Sequence, residues 1–161
     1  VNHFIRIGQI GFGIDSECLR TFVGSCVAIV LHDPINRTAA LAHVQLPTSA
    51  GQSASELGRY ADTAVPELVR QLQERSRLGV SPVAHIAGGA DMFTVSRARS
   101  VGRLNTTAVK GLLLSHRIPI LTEHCGGTLA RRLVFDIRSG KCQIEFIEPP
   151  PIVMRLLEVK P

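Results

Sequence analysis

At 161 residues, with 45% hydrophobic and 19% charged side chains, the chain has the size of one domain able to bury a core without staples. It has no run of about 18 apolar residues, which excludes a helical membrane span, and no basic stretch followed by an apolar one at its start to read as a secretion signal. Its net charge of +5 suits an acidic partner; with 4% aromatics and no reader motif, nucleic acid is not indicated. The arginines gather at Arg97, Arg99 and Arg103 and again at Arg131-Arg132, either a solvated basic face or a surface for an acidic protein.

Phe4 to Gly8 and Cys18 to Val23 read as the first strands. Ser25 to Asp33 is apolar and rich in β-branched residues, Asp33-Pro34-Ile35-Asn36 carries turn chemistry, and Thr38 to Val44 returns as a second apolar run, so a β-hairpin is predicted. A turn centred on Pro34 and Ile35 sets 33 against 36, 31 against 38 and 26 against 43. Residues directly opposite have Cβ atoms about 4.5–5.5 Å apart, which makes Cys26 and His43 a candidate nucleophile–base couple. A one-residue slip would turn one of them to the other face. The alternative is that Cys26 is a small core hydrophobe and His43 a satisfied, partly buried histidine. Gly24-Ser25 just before the cysteine forms a small-residue turn that can expose its side chain and aim backbone N–H groups at an incoming oxygen.

After Leu46-Pro47, a polar loop from Thr48 to Glu56 is a candidate lid or partner loop. Ala61, Ala64, Val65, Leu68 and Leu72 fall at helical spacing, stopping at Gly79, with Pro66 leaving the helix start open. Val83 to Ala87 suits a buried strand ended by Gly88-Gly89; that pair lacks the lysine and Ser/Thr of a phosphate-binding loop and reads as a close backbone approach. Val101, Leu104, Ala108, Leu112 and Ser115 suit a second helix, and Ile118 to Thr122 a further strand. Arg132 to Arg138 and Lys141 to Ile147 flank a Ser139-Gly140 hairpin turn. Pro149 to Pro151 then precede a strand-like Ile152 to Val159. No repeat or low-complexity linker divides the chain. The expectation is an α+β fold of mixed β-sheets with two principal helices, one domain over 1–161 with a proline-rich C-terminal extension from about 148.

Cys18, Cys26, Cys125 and Cys142 lie in a chain too core-rich to need a disulfide framework, and free thiols in a reducing cytoplasm are expected. No ligand spacing supports a zinc site built on Cys26 and His43. His124-Cys125 is the only adjacent thiol–imidazole pair; neighbours on a strand point to opposite faces, so both read as structural.

Gly24-Ser25-Cys26-Val27-Ala28, Asp33-Pro34 and His43-Val44-Gln45-Leu46-Pro47 together resemble the CheD family of bacterial chemotaxis proteins. So do Tyr60-Ala61-Asp62-Thr63-Ala64, Ala87-Gly88-Gly89-Ala90-Asp91-Met92-Phe93, Gly102-Arg103-Leu104-Asn105, and Gly126-Gly127 before Arg131. The ordered set covers roughly residues 3 to 147. The resemblance implies a glutamine deamidase acting on methyl-accepting chemoreceptors from the cytoplasm, without membrane insertion, and a fold like the catalytic domain of cytotoxic necrotizing factor toxins. It implies a cysteine–histidine centre at Cys26 and His43. A third member upstream falls on Thr21, which is otherwise an ordinary strand threonine, or on Arg20. It also implies CheC, a phosphatase of the phosphorylated response regulator, as a partner.

An amide is a poor electrophile, so its hydrolysis needs a strong nucleophile and a held oxyanion. In this scheme an imidazolium lowers the thiol pKa by several units, Cys26 attacks as the thiolate, and His43 protonates the departing nitrogen. Backbone N–H groups of Ser25 and Cys26 hold the oxyanion, and Thr21 fixes the imidazole tautomer. No metal or organic cofactor is required. Two rivals stand beside it: a receptor methylesterase, since a thiolate also attacks esters, and a non-catalytic binding module for CheC or receptors.

Overall fold

The computed structural model describes residues 1–53, 55–76, 79–92 and 100–149. In chain order these form β1 (Asn2–Phe4), β2 (Ile10–Ile14), β3 (Cys18–Val23), β4 (Val27–Asp33), β5 (Thr38–Val44), α1 (Ala61–Arg75), β6 (Val83–Gly88), α2 (Val101–Ser115), β7 (Ile120–Cys125), β8 (Ala130–Asp136) and β9 (Lys141–Ile147). One sheet runs β2-β5-β4-β6-β7 and the other β1-β3-β8-β9. The β1–β3 and β6–β7 pairs are parallel and the other neighbours antiparallel, so both sheets are mixed and the fold is α+β as expected.

Three layers follow from how β4 and β5 are buried. Every residue of both strands is buried, the condition in which a strand reads as one continuous apolar run. Val27, Ile29, Leu31, Ala40, Ala42 and Val44 pack against the helices through Ala64, Val65, Leu68, Leu72, Val109 and Leu113. Ala28, Val30, Ala39 and Leu41 face the second sheet, through Leu19, Val23, Leu133 and Phe135.

The stripe Ala61, Ala64, Val65, Leu68 and Leu72 is the buried face of α1, as its spacing predicts. The helix ends at Arg75 rather than Gly79, and Pro66 sits inside it at the loss of one ladder hydrogen bond. In α2 the buried face is Gly102, Asn105, Val109 and Leu113, while Val101 and Leu104 are 43% and 47% exposed. The inward face is therefore turned by one residue from the apolar stripe. At its leading edge a side chain would not fit: a Cβ on Gly102 would lie 2.4 Å from the carbonyl oxygen of Ala90.

The hairpin register corrects the sequence reading by two residues. Asp33 pairs with Thr38 and Ala28 with His43. The Asp33 carboxylate accepts from the backbone N–H groups of Ile35 and Asn36 and from the Asn36 amide, and Arg37 closes the loop with φ 50°. Four residues thus form the turn instead of two, and Cys26 is not directly opposite His43. Because the slip is even, the alternation of faces survives.

The first strand is Asn2–Phe4 rather than residues 4 to 8, and Ile10–Ile14 is a strand that the sequence reading missed. β7 and β8 start and end two or three residues from their expected limits, and β9 spans the expected Lys141–Ile147. The expected strand over 152 to 159, Phe93, Arg97, Arg99 and most of the proline-rich extension lie outside the described residues.

Candidate active site

His43 lies one residue before the end of β5 and is almost fully buried, on the face of the sheet turned toward the second sheet. Its backbone is held on both sides by the β1–β2 connection: Gly8 N–H donates to the His43 carbonyl at 2.9 Å, and His43 N–H donates to that of Gln9 at 3.1 Å. Across the gap stands Thr21 of β3, also fully buried. Leu19, Thr21 and Val23 point inward along this strand while Arg20 and Phe22 point the other way, so Arg20 does not face the histidine.

The Thr21 hydroxyl settles the histidine tautomer. Its oxygen is 2.7 Å from the carbonyl oxygen of Ile5 and 2.8 Å from Nδ1 of His43. A carbonyl can only accept, so the single hydroxyl hydrogen goes to Ile5, and the hydroxyl must accept from an Nδ1–H. The lone pair of His43 is thereby placed on Nε2, which is buried and has no hydrogen-bond partner among the described residues. Burial lowers the His43 pKa to about 4, with the Ile5 carbonyl opposing the shift. The imidazole is therefore neutral over the ordinary pH range.

Cys26 stands in the turn immediately before β4, half-buried against the core between the sheets. Ala28 pairs with His43, and Cys26, two residues before Ala28 and beyond the last ladder pair, packs toward the same core between the sheets.

The turn is clamped from the side by the glycine pair after β6. Gly89 N–H donates to the Cys26 carbonyl at 2.8 Å and Ala90 N–H to that of Gly24 at 2.9 Å. A Cβ on Gly88 would sit 2.1 Å from the Cys26 carbonyl oxygen, so only glycine fits. This is the close backbone approach expected of Gly88-Gly89. Burial also pushes the Cys26 thiol up from its ordinary pKa, its own backbone N–H opposing. Burial therefore disfavours the charged form of each group taken by itself.

One residue at this site carried no role in the sequence reading. Asn105 of α2 is fully buried, and its Nδ2 donates to the carbonyls of Ser25 at 3.0 Å and Gln45 at 2.9 Å. A hydrophobic-periodicity argument passes over a buried asparagine; only its place in the Gly102-Arg103-Leu104-Asn105 motif could have drawn attention to it.

A cleft of about 370 Å³ is lined by Gly89, Arg103, Thr106, Lys110 and Cys125. Burial raises the Cys125 thiol there to about 11. The four cysteines are free. Among the described residues no three His, Cys, Asp or Glu side chains gather to hold a metal, and no helix is long and apolar enough to cross a membrane.

An α+β sandwich with a buried Thr–His pair beside a clamped cysteine turn defines the setting in which the comparisons with known proteins are read. Residues 45–146 match the family model described as CheD chemotactic sensory transduction, a span that starts two residues after His43 and includes Asn105. The chain is 37% identical over 141 residues to the probable chemoreceptor glutamine deamidase CheD of Methanococcus vannielii, covering 87% of this chain and 92% of that protein. It is 42% identical over 119 residues to the chemoreceptor glutamine deamidase CheD of Thermotoga maritima, covering 74% of each. To the probable deamidase of the same name from Moorella thermoacetica it is 38% identical over 133 residues, 80% of each. The chain belongs to the CheD family.

Proposed function

We propose that this protein hydrolyses the side-chain carboxamide of glutamines on chemoreceptors, releasing ammonia and leaving glutamate, with Cys26 as nucleophile, His43 as general base and acid, and Thr21 orienting His43. The observation that carries the reading is the unpartnered, lone-pair-bearing Nε2 of His43 on the face of the sheet shared with Cys26. Membership of a family whose relatives bear the name chemoreceptor glutamine deamidase supports the substrate class.

The steps start from a neutral thiol and a neutral imidazole, the forms that burial favours. As sulfur attacks the carboxamide carbon, the thiol proton passes to Nε2, so charge develops only when the substrate is in place. The carbonyl oxygen becomes an oxyanion, for which the backbone N–H groups of Ser25 and Cys26 are the donors; one such donor contributes roughly 2.7–4 kcal/mol in measured cases. His43 returns the proton to nitrogen, the C–N bond breaks and ammonia leaves a thioester at Cys26. Water then loses a proton to His43 and attacks the thioester, which releases glutamate and restores the thiol. The Nδ1–H bond to Thr21 keeps Nε2 the acceptor throughout and stabilises the imidazolium as it forms. The net charge of +5 steers the protein toward carboxylate-rich receptor helices, and solution in the cytoplasm accords with four free thiols. A CheC-type phosphatase is the regulatory partner proposed from the family.

Incubation with a receptor cytoplasmic fragment tests the reading. Peptide mapping is expected to show +1 Da at particular glutamines, with ammonia released in equal amount. Methanol from methylated receptor without ammonia would instead assign a methylesterase, and neither product would leave a binding module.

A further inference from the structure

We propose that Asn105 is a positioning residue that sets the separation of Cys26 from His43, tying the cysteine turn to the end of the histidine strand through one side-chain amide. The inference rests on the cysteine–histidine reading above and extends it to a residue on α2.

The hairpin ladder that would hold Cys26 against the histidine strand runs out before it gets there. The last paired residues are Val27 and Val44, so Ser25 and Gln45 lie beyond the strand ends. Asn105 Nδ2 supplies the missing tie: with Ser25 and Gln45 carbonyls at 3.0 and 2.9 Å from one nitrogen, the two oxygens are held within about 6 Å of each other. Both amide hydrogens are used, which fixes which end of the carboxamide is nitrogen. The orientation has a cost, because Oδ1 is buried without a partner among the described residues. An apolar residue would avoid that cost but would leave both carbonyls without their donor.

The same helix turn braces the other side of the cysteine turn. A Cβ on Gly102 would lie within 2.6 Å of Gly89, whose N–H holds the Cys26 carbonyl. The first turns of α2 therefore fix the nucleophile from two directions, through Gly102 to Gly89 to Cys26 and through Asn105 to Ser25. A displacement of about 1 Å in a reacting group can cost about 100-fold in rate. That is the scale of motion the amide prevents.

The test is Asn105→Asp, which keeps the shape but replaces both donors with acceptors, and Asn105→Ala, which removes them without adding charge. Two readouts are taken: kcat and KM for ammonia release from a receptor fragment, and the pH dependence of iodoacetamide alkylation at Cys26, located by peptide mass mapping. Expected are a fall in kcat of about 100-fold for the aspartate and 10- to 100-fold for the alanine, with KM within about two-fold. The part of the alkylation that depends on proton transfer to His43, below the range where the thiol ionises by itself, should disappear. Should the aspartate variant not fold, the alanine variant carries both readouts. An alkylation profile matching that of the unsubstituted protein overturns the proposal, whatever happens to kcat. Absence of ammonia release from the unsubstituted protein removes the deamidase reading, while the alkylation arm still decides the role of Asn105.

Discussion

Between the two sheets a buried histidine is bonded through Nδ1 to a threonine at two places, and a cysteine stands near each. At one end His43 meets Thr21 at 2.8 Å with Cys26 in the adjoining turn. At the other His85 meets Thr122 at 2.8 Å, with Cys142 packed into the core between the sheets. Burial is the main cause that lowers each imidazole to about 4, and in both the Nε2 atom is buried without a partner among the described residues. Residue types and burial are therefore matched, and the difference lies in the Ile5 carbonyl that fixes the His43 tautomer and in the backbone around each cysteine.

Cys142 is on a strand, paired with Phe135, its thiol raised to about 11 by burial. The ring of Phe135 lies 4.8 Å from that of His85. Cys26 is off the strand end, in a turn whose carbonyls are held by Gly89, Ala90 and Asn105. A strand commits its N–H groups to the ladder, whereas a turn can direct them to a substrate oxygen. On the proposed reading, chemistry falls to the turn and packing to the strand.

The largest contrast is expected at the sulfurs. Cys26→Ala should reduce ammonia release by at least about 1,000-fold with the melting temperature little changed, while Cys142→Ala should keep activity within about two-fold. An active Cys26→Ala protein would erase the distinction. His43→Ala should come close to Cys26→Ala, because base and acid are lost together; His85→Ala should lower denaturant resistance and leave kcat of the folded protein unchanged. Thr21→Val should lower kcat by roughly 100-fold, the imidazole losing its fixed tautomer, and destabilise by about 1–3 kcal/mol through the unpaired Ile5 carbonyl and Nδ1–H. Thr122→Val should show only the stability loss.

A further effect is shared by both ends. An unfolded histidine titrates near 6.5, and His43 and His85 in the fold near 4. Between these values the unfolded chain binds more protons, so stability is complete above about pH 6.5 and falls toward pH 4, by up to about 3 kcal/mol for each group. Urea midpoints measured from pH 4 to 8 should show this slope, and His85→Ala should reduce it. The rate should likewise keep its acid limb near pH 4, not near 6.5.

How much of this was legible in the sequence depends on what each residue does. The α1 stripe was, because burial there is carried by apolar side chains at helical spacing. Strand Ile10–Ile14 was hidden because its alternate positions are Gly11 and Gly13, where a Cβ would collide with Ile5 and Ile137; the core at that point is filled from other elements. The facing of Cys26 and His43 survived an incorrect register only because the error was even, the Asp33-capped turn taking two more residues than the Pro34-Ile35 reading allowed. Thr21 could be nominated beside Arg20 but not separated from it, since their difference is the side of the strand each faces. Asn105 was legible only as part of a motif, because its work is a bond to two carbonyls that no periodicity records.

The covalent intermediate tests the account most directly. The protein mixed with a glutamine-bearing receptor peptide is quenched in acid within milliseconds to seconds and mapped by mass. A thioester at Cys26, heavier by the peptide less 17 Da of ammonia and absent from His43→Ala, is the expected result. Deamidated peptide accumulating from a Cys26→Ala protein, or an adduct forming at Cys142 or Cys125 instead, would contradict it.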